Sequence, residues 1–116
     1  MAETLEQFHE FRRQMNEEIL ASGHLGLKRF FALDHQAYEK GALEPKVKEL
    51  LGLVASTVLR CDDCITYHLE RCVEEGTTRE EILEALNVSL VVGGSITIPH
   101  LRRAFARLGE VEGKKR

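Results

Sequence analysis

The sequence has few cysteines and no excess of basic residues, and each of these absences excludes a class of protein. Three cysteines among 116 residues are an odd number and too few for the disulfide framework of a small secreted domain. We therefore expect thiols that are free or reversibly paired. The 16 basic and 19 acidic residues give a formal net charge of -3, without the basic patch that nucleic-acid binding requires. We predict no nucleic-acid partner.

Long apolar runs are also missing. No stretch is long enough to span a bilayer, and the segment MAETLEQFHEFRRQ carries acidic residues where a secretory signal needs a basic region followed by an apolar run. These features predict a cytoplasmic protein without a membrane partner. With 43% hydrophobic and 30% charged residues, the chain fits one globular domain spanning residues 1–116.

Helical periodicity runs through nearly the whole sequence, and no segment shows the alternation of a half-buried strand. The pattern predicts an all-α, single-domain compact bundle of about six helices. We expect these over residues 4–21, 25–39, 45–59, about 62–75, about 78–92 and, as a short last helix, 100–109. The expected buried faces are Leu5, Phe8, Phe11, Met15 and Ile19 in the first helix, Phe30, Phe31, Ala37 and Tyr38 in the second, and Leu101, Phe105 and Leu108 in the last.

Two further local signals concern the middle of the chain. The segment LLGLVASTVL is apolar nearly all round, which favours a central position for the third helix. In GTTREEILEAL either Thr77 or Thr78 is followed by a glutamate three residues later, a capping box that opens the fifth helix.

The stretch RCDDCITYHLERC, residues 60–72, holds most of the reactive side chains. Cys61, Cys64, His68 and Cys72 stand at offsets of 0, 3, 7 and 11 residues, so at 3.6 residues per turn all four lie near one face of a helix. Cys61 and Cys72 are then about 16 Å apart along the axis, whereas tetrahedral zinc needs its ligands within about 2.3 Å of one point. A metal could use only part of this set, and we predict none.

A redox pair fits the spacing better. Two cysteines separated by two residues at a helix start can close a disulfide, and the helix N-terminus stabilises a thiolate there. His68 lies one turn after Cys64 and leans back toward it, where it could take its proton. Asp62 and Asp63 oppose this, because nearby carboxylates raise the pKa of a thiol. The alternative is that the cysteines and the histidine merely pack on an amphipathic face. Cys72 is interpreted as structural.

At this point the residues carry a family resemblance. The segments KELLGLVAS, CDDCITYH and GTTREEILEALNVSLVVGG resemble the carboxymuconolactone decarboxylase-like family, specifically its alkyl hydroperoxidase D-like branch. The resemblance covers roughly residues 44–94. It implies an all-helical, oligomeric protein, with trimers or hexamers expected, and the apolar third and fifth helices favour an oligomer independently.

The resemblance also implies roles for particular residues. Cys61 and Cys64 would be a peroxide-reducing, disulfide-cycling pair, and Glu49 and His68 a proton relay. Without the resemblance, Glu49 would be interpreted as a solvated glutamate near Lys46 and Lys48, although its leucine neighbours indicate partial burial. Some members of the branch have a histidine where this sequence has Asp63, which bears on the efficiency of peroxide reduction.

The predicted function is therefore a thiol-disulfide oxidoreductase with no cofactor beyond the Cys61–Cys64 disulfide. Its expected partners are a hydroperoxide and a dithiol reductant, for example of the lipoyl type. The alternatives are a lactone decarboxylase, whose branch generally lacks the cysteine pair, and a non-enzymatic redox-responsive binding module. His100, after Pro99, is a minor candidate that lines the same pocket if the last helix folds back on the fourth.

Overall fold

The structure, a computed structural model, describes residues 3–115 and, at the C-terminus, side chains only as far as residue 113. It contains six α-helices and one short 3-10 helix, and no strand occurs within that part of the chain. The α-helices are α1 (Leu5–Ala21), α2 (Leu25–Ala37), α3 (Pro45–Val58), α4 (Asp62–Glu74), α5 (Arg79–Gly93) and α6 (Ile98–Lys115). This confirms the all-α prediction, and five helices lie within about two residues of their expected bounds.

The chain divides into two compact units, of which the first ends at Glu39 and the second begins at Lys40. In the first unit, a capping box between Thr4 and Gln7 opens α1. Only Leu5 and Phe8 of the predicted stripe are buried in α1, and Phe11 is 63% exposed.

The prediction of a buried face on α2 is wrong for the chain by itself. None of the 13 residues of this helix is buried: Phe30 is 66% exposed, Ala37 is exposed, and Phe31 and Tyr38 are only half-buried. The periodicity of α2 therefore predicts the helix correctly but not the burial of its apolar residues.

In the second unit, α3 packs against both α4 and α5, and α4 packs against α6. This arrangement agrees with the predicted central position of α3. Apolar side chains from all four helices form the core: Leu53, Ile65, Leu69, Ile82, Leu86, Ala104 and Leu108, each at most 2% exposed. The buried residues of α3 also include three polar ones, Glu49, Ser56 and Thr57.

Local sequence explains most helix ends. Pro45 stands at the start of α3, where its missing N–H costs no hydrogen bond. Thr78, rather than Thr77, forms the capping box of α5 with Glu81. Gly76 has a φ of 84° after α4, in the left-handed region that glycine tolerates.

The last helix is longer than expected, and only part of its expected apolar face is buried. It begins at Ile98, because Pro99 is tolerated in a first turn, and it continues to Lys115. Phe105 is 46% exposed, whereas Ala104, Leu108 and Val111 are buried. No helix of residues 3–115 is both long enough and apolar enough to cross a membrane.

Candidate active site

The turn between α3 and α4 places the first cysteine directly at a helix N-terminus. Arg60 has a φ of 61°, a left-handed conformation that is uncommon for a residue with a side chain. Its N–H donates to Thr57 O at 3.1 Å, and the N–H of Cys61 donates to Ser56 O at 3.0 Å. This is a Schellman motif with arginine where glycine is usual. It closes α3 and brings Cys61 to the N-cap of α4.

Cys61 and Cys64 are joined by a disulfide, with their Cα atoms 5.3 Å apart. The N–H of Cys64 donates to Cys61 Sγ at 3.3 Å, so this sulfur caps the helix. Negative charge on Sγ of Cys61 in the reduced protein would meet the positive end of the α4 dipole. Cys64 is exposed and Cys61 is half-buried, so both a small oxidant and a reductant can approach the pair.

Glu49 and His68 form a buried pair between neighbouring helices. Oε1 of Glu49, on α3, lies 2.9 Å from Nδ1 of His68, on α4, and the two side chains are 1% and 9% exposed. Since an ionised carboxylate can only accept, Nδ1 donates in this bond when Glu49 is charged. The arrangement fixes the ring orientation of His68 and makes Nε2 the nitrogen that can exchange a proton elsewhere.

Gly52 supports this pair in a way that the sequence analysis missed. A Cβ atom at Gly52 would lie 2.5 Å from Cε1 and 2.8 Å from Nδ1 and Nε2 of the His68 ring. The ring therefore packs flat against the backbone of α3, one turn after Glu49. A glycine inside a helix costs about 1 kcal/mol relative to alanine, so its presence within the apolar LLGLVAS segment was the available signal.

Arg71 is a second contact of the site that no pattern in the sequence indicates. Its Nε lies 3.6 Å from Oε2 of Glu49, while its two terminal nitrogens pair with Glu74 and Glu75 on the surface of α4. Glu49 is thus in contact with a histidine through one oxygen and with a guanidinium through the other.

Asp62, next to Cys61, is held by the last helix. His100 Nδ1 lies 2.8 Å from Asp62 Oδ1, and Arg103 donates to Oδ2 at 2.6 Å. Partial burial opposes ionisation, but these two partners outweigh it and lower the pKa of the Asp62 carboxyl. The last helix packs against the fourth, which was the condition for His100 to lie near the site. His100 contacts Asp62 there.

Cys72 lies in a different environment from the other two cysteines. It is free and fully buried, and burial, followed by the charge of Glu49, raises the pKa of its thiol to about 12. A thiol with that pKa carries almost no thiolate at neutral pH, so Cys72 is a packing residue with little reactivity.

Two pairs of the four predicted site residues are therefore in direct contact: Cys61 with Cys64, and Glu49 with His68. Within residues 3–115, no group of three or more His, Cys, Asp or Glu side chains is arranged to hold a metal ion. The site therefore combines a disulfide at the start of α4, which can undergo thiol-disulfide exchange, with a carboxylate–imidazole pair between α3 and α4.

An all-helical protein with a CxxC disulfide at a helix N-terminus and a buried Glu–His pair defines a recognisable class. The profile of the carboxymuconolactone decarboxylase family matches residues 26–107. The chain belongs to this family.

Three proteins illustrate the sequence relationship. Uncharacterized protein 4 of the cox locus of Paracoccus denitrificans is 32% identical over 84 residues, which are 72% of this chain and 76% of that protein. An uncharacterized protein of Cupriavidus necator is 30% identical over 70 residues, 60% of this chain and 62% of that protein. The alkyl hydroperoxide reductase AhpD of Corynebacterium kroppenstedtii is 35% identical over 46 residues, 40% of this chain and only 26% of that protein.

Solved structures of the family have the same fold. A carboxymuconolactone decarboxylase family protein of Thermotoga maritima, for which a role in the antioxidative response has been suggested, is 60% identical with a TM-score of 0.90. The alignment covers 94% of this chain and 92% of that protein. A family member of Legionella pneumophila, in its apo form, is 31% identical with a TM-score of 0.67, over 90% of this chain and 87% of that protein.

Proposed function

We propose that the protein is a dithiol-dependent peroxidase of the alkyl hydroperoxidase D type, in which Cys61 and Cys64 cycle between dithiol and disulfide. One observation carries the proposal: the disulfide lies at the N-terminus of the helix that also presents His68, hydrogen-bonded to buried Glu49. The similarity to the alkyl hydroperoxide reductase of Corynebacterium kroppenstedtii supports the same assignment.

The proposed cycle has three steps. The thiolate of Cys64 attacks the terminal peroxide oxygen, the O–O bond breaks, and the leaving alkoxide takes a proton, giving an alcohol and a sulfenic acid on Cys64. The sulfur of Cys61 then attacks the sulfur of this sulfenic acid and forms the disulfide. The hydroxide that leaves takes up the proton of the Cys61 thiol and departs as water. An external dithiol finally reduces the disulfide by thiol-disulfide exchange and is itself oxidised to a disulfide.

The proposed division of labour between the cysteines follows from their positions. Cys64 is the exposed member and stands one turn before His68, whereas Cys61 caps α4 and is half-buried. We assign attack to Cys64 and resolution to Cys61. The N-cap position favours a thiolate on Cys61 as well, so serine variants of the two cysteines are needed to distinguish the attacking thiol.

The Glu49–His68 pair acts in this cycle as the proton carrier. His68 accepts the thiol proton at Nε2 while Glu49 stabilises the imidazolium through Nδ1, and the proton is returned to the leaving oxygen. Two fixed helices hold the pair, so no loop movement is needed to assemble it.

Turnover of peroxide with a series of dithiols, including dihydrolipoamide, tests the proposal. We expect catalytic consumption by the wild type and none by Cys61→Ser or Cys64→Ser, since an oxygen cannot form the disulfide. Cys61→Ser should consume about one equivalent of peroxide and stop at a sulfenic acid that dimedone traps, whereas Cys64→Ser should barely react. The reverse result would move attack to Cys61.

Variants of the proton carrier complete the test. Glu49→Gln and His68→Gln keep the size of the side chain and should lower turnover by roughly 10² or more, with the helical circular dichroism unchanged. His35→Gln, an exposed change on α2, is the matched control. If a single stoichiometric reaction with peroxide is all that the wild type shows, the protein is a redox-responsive module and not a peroxidase.

We also propose that the active form is a homo-oligomer, with trimers and hexamers as the expected states. Its support is the large apolar area that the chain leaves exposed. Phe30 and Leu33 on α2, Leu51 on α3, and Val91 and Val92 on α5 are all more than half exposed. Large apolar patches on a protein surface commonly mark sites of protein association.

A further inference from the structure

The two carboxylate oxygens of Glu49 have different partners. Oε1 bonds to His68 Nδ1, and Oε2 lies 3.6 Å from Nε of Arg71. Glu49 is 1% exposed, and a buried carboxylate with only a neutral imidazole beside it would be strongly disfavoured in its charged form. Arg71, on α4, supplies a positive charge in contact with this carboxylate.

Arg71 is itself fixed from the outside. Its Nη1 donates to Oε2 of Glu74 at 2.5 Å, and its Nη2 donates to Oε1 of Glu75 at 3.5 Å; both glutamates lie at the C-terminal end of α4. Burial disfavours the guanidinium charge, but the bond and charge of Glu74 and the charge of Glu49 outweigh it and raise the pKa of Arg71. Arg71 is 37% exposed, so it connects a buried carboxylate to two carboxylates at the surface.

We propose that Arg71 is a positioning residue of the active site, which holds the Glu49 carboxylate turned toward His68 and offsets its negative charge. This inference rests on the proposed function for its consequence in catalysis, but it makes a claim about the Glu49–His68 pair that holds with or without turnover.

The physical argument is a charge count. With Arg71 present, its guanidinium offsets part of the negative charge of Glu49, although Glu74 and Glu75 share the same guanidinium. Without Arg71, the same buried pair carries a net charge of -1, which attracts a proton from solvent. A pair that already holds that proton cannot accept the thiol proton, so the cycle would lose its base at higher pH than in the wild type.

Other charged groups on the packed helices have partners of their own. Lys46 pairs with Glu81, Asp62 with His100 and Arg103, and Arg107 with Glu110. Two further titratable neighbours are Tyr67, whose ring meets that of His68 edge to face at 5.2 Å, and Cys72, whose thiol is affected by the charge of Glu49. Arg71 is accordingly the group whose removal should change the protonation of the pair.

A histidine titration of the reduced protein by NMR, with labelled imidazole rings and His68→Gln to assign the His68 signal, tests the inference. We expect Arg71→Gln to raise the midpoint of the His68 titration by about half a unit or more, given partial exposure of the guanidinium. Arg71→Lys, which keeps the charge, should restore at least half of that shift. Arg13→Gln, which breaks two comparable ion pairs on α1, is the matched control and should leave the midpoint unchanged.

Turnover adds a separate readout. In Arg71→Gln the acidic limb of the pH profile should move to higher pH by the same amount. An unchanged His68 midpoint in Arg71→Gln, or a shift that Arg71→Lys does not reverse, would overturn the inference. Absence of turnover in the wild type would instead overturn the proposed function. The role of Arg71 would still be tested by the His68 titration midpoints of the wild type and the Arg71 variants.

Discussion

At the scale of single residues, the site depends as much on a missing side chain as on the reactive ones. Gly52 lies one turn after Glu49, and the His68 ring occupies the space where a Cβ atom at Gly52 would be. The ring approaches the α3 backbone this closely while its Nδ1 bonds to Glu49 Oε1. Gly52 therefore has a role that composition and periodicity do not predict.

We expect Gly52→Ala to displace the His68 ring and to lower peroxide turnover by roughly tenfold or more, because a displacement of about 1 Å is enough to misalign a proton carrier. The added methyl should also destabilise the fold by about 1–3 kcal/mol through overpacking. Steady-state kinetics and urea unfolding measure the two effects.

Gly109→Ala is the matched control for this change. Gly109 also lies inside a helix, but no atom would be within 4 Å of a Cβ atom there. This variant should gain about 0.5–1 kcal/mol of stability from helix propensity and keep full turnover. Equal behaviour of the two alanine variants would show that the His68 ring does not need the space at Gly52.

At the scale of the elements, the start of α4 is fixed from two directions. The Schellman turn at Arg60 joins it to the end of α3, and His100 and Arg103 on α6 bind Asp62 in its first turn. The cysteine pair thus lies on the helix end that two other helices hold. From the sequence, the negative charge of Asp62 is expected to oppose a thiolate. In the structure this charge is paired with His100 and Arg103 on α6.

Asp62→Asn should destabilise the protein by roughly 1 kcal/mol at pH 7, since it removes charge-assisted bonds that remain partly solvated. The pKa of Asp62 is lowered in the folded state relative to the ordinary value of 3.8. Its contribution is therefore present above that pH and is lost as the pH falls through the lower, folded value. Denaturant unfolding at pH 7 and below pH 3 should show a difference between wild type and variant that shrinks in acid.

The exposed Asp34 of α2 provides the control, because Asp34→Asn removes a charge of the same type from the first unit of the chain. We expect it to leave stability nearly unchanged at both pH values. A difference for Asp62→Asn that persists undiminished in acid would mean that packing, and not the ion pairs, gives Asp62 its effect.

At the scale of the whole molecule, the exposed apolar surface is the main unexplained feature of the isolated chain. No residue of α2 is buried, although Leu25, Leu27, Phe30 and Leu33 are all apolar. The outward face of α3 is also apolar, with Leu51 54% exposed, while its buried face includes Glu49, Ser56 and Thr57. Association of identical chains would bury such surfaces.

Light scattering should give a mass that is a multiple of 13.2 kDa at micromolar concentration. Phe30→Glu should shift the distribution toward smaller species, because burying a charge opposes association. Arg29→Glu, which adds the same side chain at the adjacent exposed position of α2, controls for charge alone. A wild-type mass of 13.2 kDa would contradict the oligomer.

The sequence by itself determined the helices and the pairing of Cys61 with Cys64, because both depend on short-range spacing. Periods of three and four residues gave five helices nearly to their ends, and the capping residues before α5 lie within one turn of it. Cys61 and Cys64 are three residues apart, so their disulfide needs no information from elsewhere in the chain. Glu49 entered only through the family resemblance, since its own segment gives no reason to select it.

Tertiary structure decided everything that joins one helix to another. The contacts of Glu49 with His68 and Arg71, and those of Asp62 with His100 and Arg103, span from 19 to 41 residues, and no local pattern encodes which turn of one helix faces which turn of the next. The same reason explains the error on α2: periodicity shows that a helix has an apolar face, but only packing decides whether that face meets its own chain.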